Sequence, residues 1–184
     1  EGLNLEAVGI ETYRGGILVN DQMQTNIPHI YAIGDVNGRQ LLAHAATMQG
    51  FRAVNHIVGK ADQIQFNIMP AAVFTLPEVA SVENSLLTTA QTPDGTPPLL
   101  RTLKGFYFAN GKALAMNETE GMLKLLSEPD AGRIVGCHAF GAHAADLVQE
   151  VSSLMCRQTT VGQLRTMVHI HPTLSEILSA AAES

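Results

Sequence analysis

The residues best suited to chemistry form one string near the end of the sequence: His169-Ile170-His171-Pro172-Thr173-Leu174-Ser175-Glu176. Pro172 cannot continue a helix backwards and drives the residue before it into an extended conformation, so His171 belongs at the lip of a final helix. Thr173 and Glu176 have the spacing of a capping box, in which the glutamate reaches back over the first turn. A carboxylate there, five residues after a histidine held by proline, can accept the proton of one ring nitrogen. It would orient the imidazole, raise its basicity and leave the other nitrogen as a general acid/base. The same residues also describe a glutamate that only caps a helix and a histidine in a loop, and the two roles are compatible. A metal site fits less well: His169 and His171 alternate along an extended segment and so face opposite sides, with no cysteine or carboxylate cluster beside them.

A second constellation is Thr25-Asn26-Ile27-Pro28-His29-Ile30-Tyr31-Ala32-Ile33-Gly34-Asp35, followed by Leu41-Leu42-Ala43-His44. An aspartate at the carboxyl end of a buried strand can accept hydrogen bonds from ligand hydroxyls. The helix beginning six residues on offers free N–H groups and a positive end to an electron-rich ligand atom. A lone Gly-Asp is also an ordinary turn; the whole string is far more specific.

These residues need elements to position them. Gly16-Ile17-Leu18-Val19 and Ile30-Tyr31-Ala32-Ile33 read as short strands, the second without polar alternation, as in a buried parallel sheet. From about Leu41 to Val58 the pattern is helical, with a stripe of Leu42, Ala45, Ala46, Phe51, Val54 and Ile57, and Gly59 ends it. After Lys60 the texture changes. Ala72–Thr75, Val79–Val82 and Leu99–Leu103 read as strands, and the Pro- and Gly-rich residues 91–98 as a loop. Met122–Leu126 and Arg133–His138 face each other across a five-residue hairpin connection ending in Gly132. His143–Arg157 is an amphipathic helix with a stripe of Ala144, Leu147, Val148, Val151, Leu154 and Met155. Helices follow at about Val161–Met167, capped by Thr159 or Thr160, and at about Leu174–Ala182. The fold class is α+β: an antiparallel sheet with helices on one face, preceded by a piece of an α/β domain.

Composition narrows the function. The 184 residues carry 11 Lys+Arg against 17 Asp+Glu, a net charge of −6, and 46% are hydrophobic, enough for a real core. The acidic balance and lack of a basic cluster argue against nucleic acid as a partner. No apolar run approaches the ~18 residues of a membrane span, and no secretory signal pattern is present. Cys137 and Cys156 are distant and isolated, which suits a reducing compartment better than a disulfide scaffold. The opening Glu1-Gly2-Leu3 reads as the end of an element, so the expectation is a piece of something longer.

Ile-Pro-x-Ile-Tyr-Ala-Ile-Gly-Asp followed by Leu-Ala-His resembles the second FAD-binding signature of the pyridine-nucleotide disulfide oxidoreductases. Phe74-Thr75-x-Pro77-Glu78-Val79-Ala80-Ser81-Val82 resembles the opening of their dimerisation domain. Asn110 to Gly121 and His171-Pro172-Thr173-Leu174-Ser175-Glu176 look most like the dihydrolipoamide dehydrogenases of that family. The resemblance runs in order along essentially the whole chain, but matches only the C-terminal portion of such an enzyme. It implies that Asp35 binds the ribityl chain of FAD, and that Leu41, Leu42, Ala43 and His44 open a helix facing the flavin pyrimidine. It implies that His171 takes a proton from a dihydrolipoyl thiol with Glu176 as orienting partner, across a homodimer, and that the His171–Pro172 bond is cis. The implied divisions are the end of an FAD-binding domain over 1–62 and an interface domain over 63–184.

The departures are equally plain. The Cys-x-x-x-x-Cys redox pair, the Gly-x-Gly-x-x-Gly motif and the NAD domain are absent, and Glu83-Asn84 replaces the usual Gly-Leu. Cys137, in a strand, and Cys156, near a helix end, read as packing residues. The expectation is a C-terminal fragment of an enzyme that oxidises protein-bound dihydrolipoamide with NAD+, inactive alone. The implied partner is the lipoyl domain of a 2-oxoacid dehydrogenase or glycine cleavage complex. The implied location is the cytoplasm, or the mitochondrial matrix in a eukaryote. The alternatives are a free-standing dimerisation module and another disulfide oxidoreductase such as glutathione reductase, against which the Lys112–Gly121 string argues.

Overall fold

The computed structural model describes residues 2–88, 99–130 and 132–184; the proline-rich loop expected at 91–98 lies outside them. The chain divides into two compact units, Glu1–Phe66 and Asn67–Ser184.

In the first unit, β1 (Thr12–Tyr13) pairs antiparallel with β2 (Gly16–Ile17). The strand expected over Gly16–Val19 is therefore half as long as its apolar run. Ile30–Ile33 is not a strand: only Tyr31 forms a bridge, to Gln24, and Ile33 lies exposed. An apolar run becomes a parallel strand only beside parallel neighbours that share its ladder bonds, and among the described residues this run has only the antiparallel bridge to Gln24. Helix α1 (Ala43–Ile57) forms as its periodicity predicts, and Gly59, at φ +69°, closes it by donating to the His56 carbonyl at 3.1 Å. Its buried face differs from the expected stripe. Ala45, Gln49 and Ala53 are buried, whereas Phe51, Val54 and Ile57 lie outside. A backbone turn comes close to this helix: a Cβ on Gly34 would stand 3.3 Å from the Ala46 Cβ.

The second unit holds a five-stranded antiparallel sheet, in the order β3-β4-β7-β6-β5 among the described residues. Its strands are β3 (Ala71–Val73), β4 (Glu78–Glu83), β5 (Arg101–Phe106), β6 (Gly121–Ser127) and β7 (Ile134–Gly141). The first runs shorter than the expected 72–75, and β5 starts two residues later than expected and extends to Phe106. The β6–β7 hairpin closes as its turn residues dictate, with the Glu128 N–H donating to the Arg133 carbonyl at 3.0 Å. Arg133 and Glu128 also pair through their side chains, Nη2 to Oε1 at 2.8 Å. The connecting helices are α2 (Ser85–Thr88), α3 (Gly111–Met116), α4 (Ala144–Cys156), α5 (Val161–Arg165) and α6 (Glu176–Glu183).

Helix α4 lies on β4 and β7, and α6 on β5 and β6, so one face of the sheet carries the core. That core includes Val82, Leu103, Leu123, Leu125, Leu147, Val151, Ile177 and Leu178, and the expected stripe of α4 faces it. Helix α5 begins at Thr160, whose hydroxyl accepts from the Gln163 N–H while the Gln163 side chain accepts from the Thr160 N–H. Of the two cysteines, Cys137 packs in the core as expected. Cys156, in the last turn of α4, is exposed and does not.

Gly105 sets how closely α6 approaches β5. A Cβ there would meet the Ile177 carbonyl oxygen at 2.5 Å and Ile177 Cγ2 at 2.8 Å. Neither can retreat without moving the helix that begins with Glu176. Gly105→Ala should cost about 1–3 kcal/mol of stability through this overpacking, read as a lower urea midpoint at unchanged slope.

Candidate functional site

Leu174, buried in the core, anchors the segment between Ile170 and α6 and leaves His171 on the surface. The His171–Pro172 peptide bond is cis. His171 Nδ1 stands 2.9 Å from Glu176 Oε1, and Glu176 Oε2 accepts from the Thr173 N–H at 2.8 Å. One carboxylate thus serves as helix cap and imidazole partner together. Only one arm of the expected capping box forms: the Thr173 hydroxyl turns back to donate to the Ile170 carbonyl at 2.6 Å.

The electrostatics follow. The Thr173 N–H, and next the hydrogen bond from His171, hold the Glu176 carboxyl below its ordinary value. An ionised carboxylate only accepts, so the proton shared at 2.9 Å resides on His171 Nδ1. In the neutral ring the lone pair then lies on Nε2, on a side chain that is 79% exposed. Beside it lies a recess of about 120 Å³ lined by Phe106, Asn110, Gly111, His171, Glu176 and Ile177, among others. That is room for the end of a flexible chain and far below the ~300 Å³ of a pocket enclosing a whole small molecule.

Residues the sequence reading did not assign hold this segment from behind. Asn110, buried, caps α3 through Oδ1 and donates from Nδ2 to the Thr173 carbonyl at 3.0 Å. His169 points inward, opposite to His171. Its Nδ1 lies 2.8 Å from the Ser179 hydroxyl and its Nε2 3.3 Å from Glu150 Oε1. The Ser175 hydroxyl donates to Glu150 Oε2 at 2.7 Å. Alternation along an extended segment foretells the inward turn of His169, but its partners come from α4 and α6 and no local spacing reveals them.

In the first unit, Asp35 sits exposed in a turn of 3-10 helix over Gly34–Asn37. Gln49, 1% exposed, fixes that turn: its Oε1 accepts from the Gly34 N–H and from Asn37 Nδ2, both at 2.8 Å. A polar residue on the buried side of α1 was the available signal, and the apolar stripe concealed it. Leu42 precedes α1 with no side-chain cap, and Leu41, Ala43 and His44 are exposed around it. An exposed carboxylate beside an uncapped helix N-terminus suits a ligand bearing both hydroxyls and an electron-rich edge.

The family model described as pyridine nucleotide-disulphide oxidoreductase, dimerisation domain, matches residues 69–182, and a second, described as pyridine nucleotide-disulphide oxidoreductase, matches 1–50. The chain belongs to the pyridine nucleotide-disulphide oxidoreductases. Its family relatives include dihydrolipoyl dehydrogenase of Synechocystis sp., 40% identical over 98% of this chain and 40% of the relative. Dihydrolipoyl dehydrogenase 2, chloroplastic, of Arabidopsis thaliana is 39% identical over 96% of this chain and 32% of its own length. The crystal structure of LpdA from Mycobacterium tuberculosis superposes with a TM-score of 0.86 at 30% identity, over 99% of this chain and 39% of that one. The chain therefore spans about two fifths or less of the relatives it matches. Among the described residues, no helix is long and apolar enough to cross a membrane.

The depressed Glu176 carboxyl has a consequence for stability. A carboxyl lowered by folding stabilises fully above its ordinary value of 4.5, and the contribution fades as the pH falls through the lower folded value. Glu176→Gln should therefore lower the urea midpoint at neutral pH, with the gap to the parent closing as the pH falls below the ordinary carboxyl value of 4.5. A gap that persists unchanged in acid contradicts the assignment.

Proposed function

We propose that this chain is the C-terminal part of a dihydrolipoamide dehydrogenase, with His171 as the acid/base and Glu176 as its orienting partner. The 2.9 Å contact of Nδ1 with a carboxylate already engaged by the Thr173 N–H carries the reading. It leaves Nε2 outward to take the proton of a dihydrolipoyl thiol, generating the thiolate that can then exchange with a disulfide. On this reading 1–62 ends an FAD-binding domain and 63–184 forms the interface domain.

The redox disulfide is assigned to residues outside this chain. Burial pushes the Cys137 thiol up to about 12, and Cys156 lies on a different element. FAD, where bound, supplies two-electron acceptance. Asp35 would bind its hydroxyl-bearing chain, and the start of α1 at Leu41 to His44 would face its electron-rich ring edge. NAD+ is the final acceptor of the complete enzyme.

A homodimer is supported by the apolar surroundings of His171: Val168 is 98% and Ile170 79% exposed, and Phe106 stacks on the exposed Phe108. The lipoyl domain of a 2-oxoacid dehydrogenase or glycine cleavage complex is the proposed substrate carrier. The proposed location is cytoplasmic, or the mitochondrial matrix in a eukaryotic source.

The test is reconstitution. This chain is mixed with a separately produced N-terminal portion of a dihydrolipoyl dehydrogenase, and NADH formation from dihydrolipoamide is followed. The chain alone should give no turnover above buffer. The mixture should recover activity, and His171→Gln should lower it by about 10²–10⁴-fold. Equal rates for parent and variant would overturn the role of His171.

A further inference from the structure

Ser175 occupies the position just before α6, where serine commonly caps a helix by accepting a backbone N–H. Here it does not: its backbone is already helical, at φ −57° and ψ −22°, and its side chain makes no cap bond. The hydroxyl instead donates outward to Glu150 on α4 at 2.7 Å. The other oxygen of Glu150 meets Nε2 of His169, a side chain only 8% exposed, whose Nδ1 lies 2.8 Å from Ser179 Oγ one turn further along α6. A carboxylate only accepts, so a neutral His169 carries its proton on Nε2 and accepts from Ser179 on Nδ1. His169 and His171 thus hold opposite tautomers, each selected by its own glutamate.

We propose that Glu150 is a positioning residue for His171, acting through Ser175 and His169. The mechanics are rotational. The azimuth of the first turn of α6 decides where Glu176 points; Leu174, Ile177 and Leu178 hold its inner side in the core, and Ser175 on Glu150 is its polar attachment on the outer side. Without Glu150 the Ser175 hydroxyl is released to swing inward and cap α6. The first turn then shifts, and Glu176 loses its alignment with His171 Nδ1. Glu150 touches neither His171 nor its recess, so it is no catalytic residue.

The inference deepens the reading of His171 as acid/base and draws its functional meaning from it, but the test reads geometry and not turnover. Long-range ¹H–¹⁵N spectra of the whole 184-residue chain report which ring nitrogen of His171 bears the proton. The parent should show the Nδ1–H form predominant. Glu150→Ala should shift the ratio toward Nε2–H by about tenfold, the loss expected for one charge-assisted hydrogen bond. Glu150→Gln, which keeps an acceptor for Ser175, should restore the parent ratio.

Ser175→Ala, a smaller change, should shift the ratio as Glu150→Ala does, and it decides the matter if the latter fails to fold. A folded Glu150→Ala or Ser175→Ala chain, judged by its amide spectrum, that keeps the parent ratio overturns the proposal. A change in melting temperature without a tautomer change does the same. Failure of the His171→Gln assay would instead overturn the acid/base role and leave these spectra unaffected.

Discussion

One carboxylate holds the candidate site together. Glu176 accepts from the Thr173 backbone with one oxygen and meets His171 with the other. The first bond gives the helix its start, and the second gives an exposed ring a defined tautomer. Neither needs deep burial: Glu176 is partly accessible and His171 almost wholly so, which keeps desolvation small and leaves the distal nitrogen open. The arrangement works because the carboxylate cannot donate, so its demand for protons settles where the imidazole carries its own.

Everything else in the second unit places that carboxylate. The sheet gives α6 a floor, and Gly105 lets the helix come close enough to seat Ile177 and Leu178. Asn110 ties the Thr173 carbonyl to the start of α3, and Glu150 ties Ser175 to α4. The His171 segment is an irregular stretch with little ladder bonding of its own. Its order is borrowed from three helices and one core leucine, the usual relation of a surface loop to its scaffold.

The first unit illustrates the opposite situation. Its turn at Gly34–Asn37 is well tied by Gln49, yet the apolar residues flanking it remain outside. Ile33, Phe51, Val54 and Ile57 have the composition of a buried α/β layer but no layer among the described residues to bury them. That explains why Ile30–Ile33 reads as a strand and does not form one. Strand identity in a parallel sheet resides in the neighbours, whereas helix identity in α1 resides in its own residues.

The division between sequence and structure runs along the same line. Local rules were enough for the α4 stripe and the β6–β7 hairpin, and they narrowed the α5 cap to Thr159 or Thr160, of which Thr160 serves, because glycine, capping side chains and helical period act within a few residues. The pairing of His171 with Glu176 was legible for that reason: both lie within one short turn. Which histidine faces inward onto Glu150, which face of α1 is buried, and that Ser175 donates outward and does not cap were settled by tertiary contacts. In each case the deciding partner lies more than ten residues away, and only packing of separate elements brings it within hydrogen-bonding range.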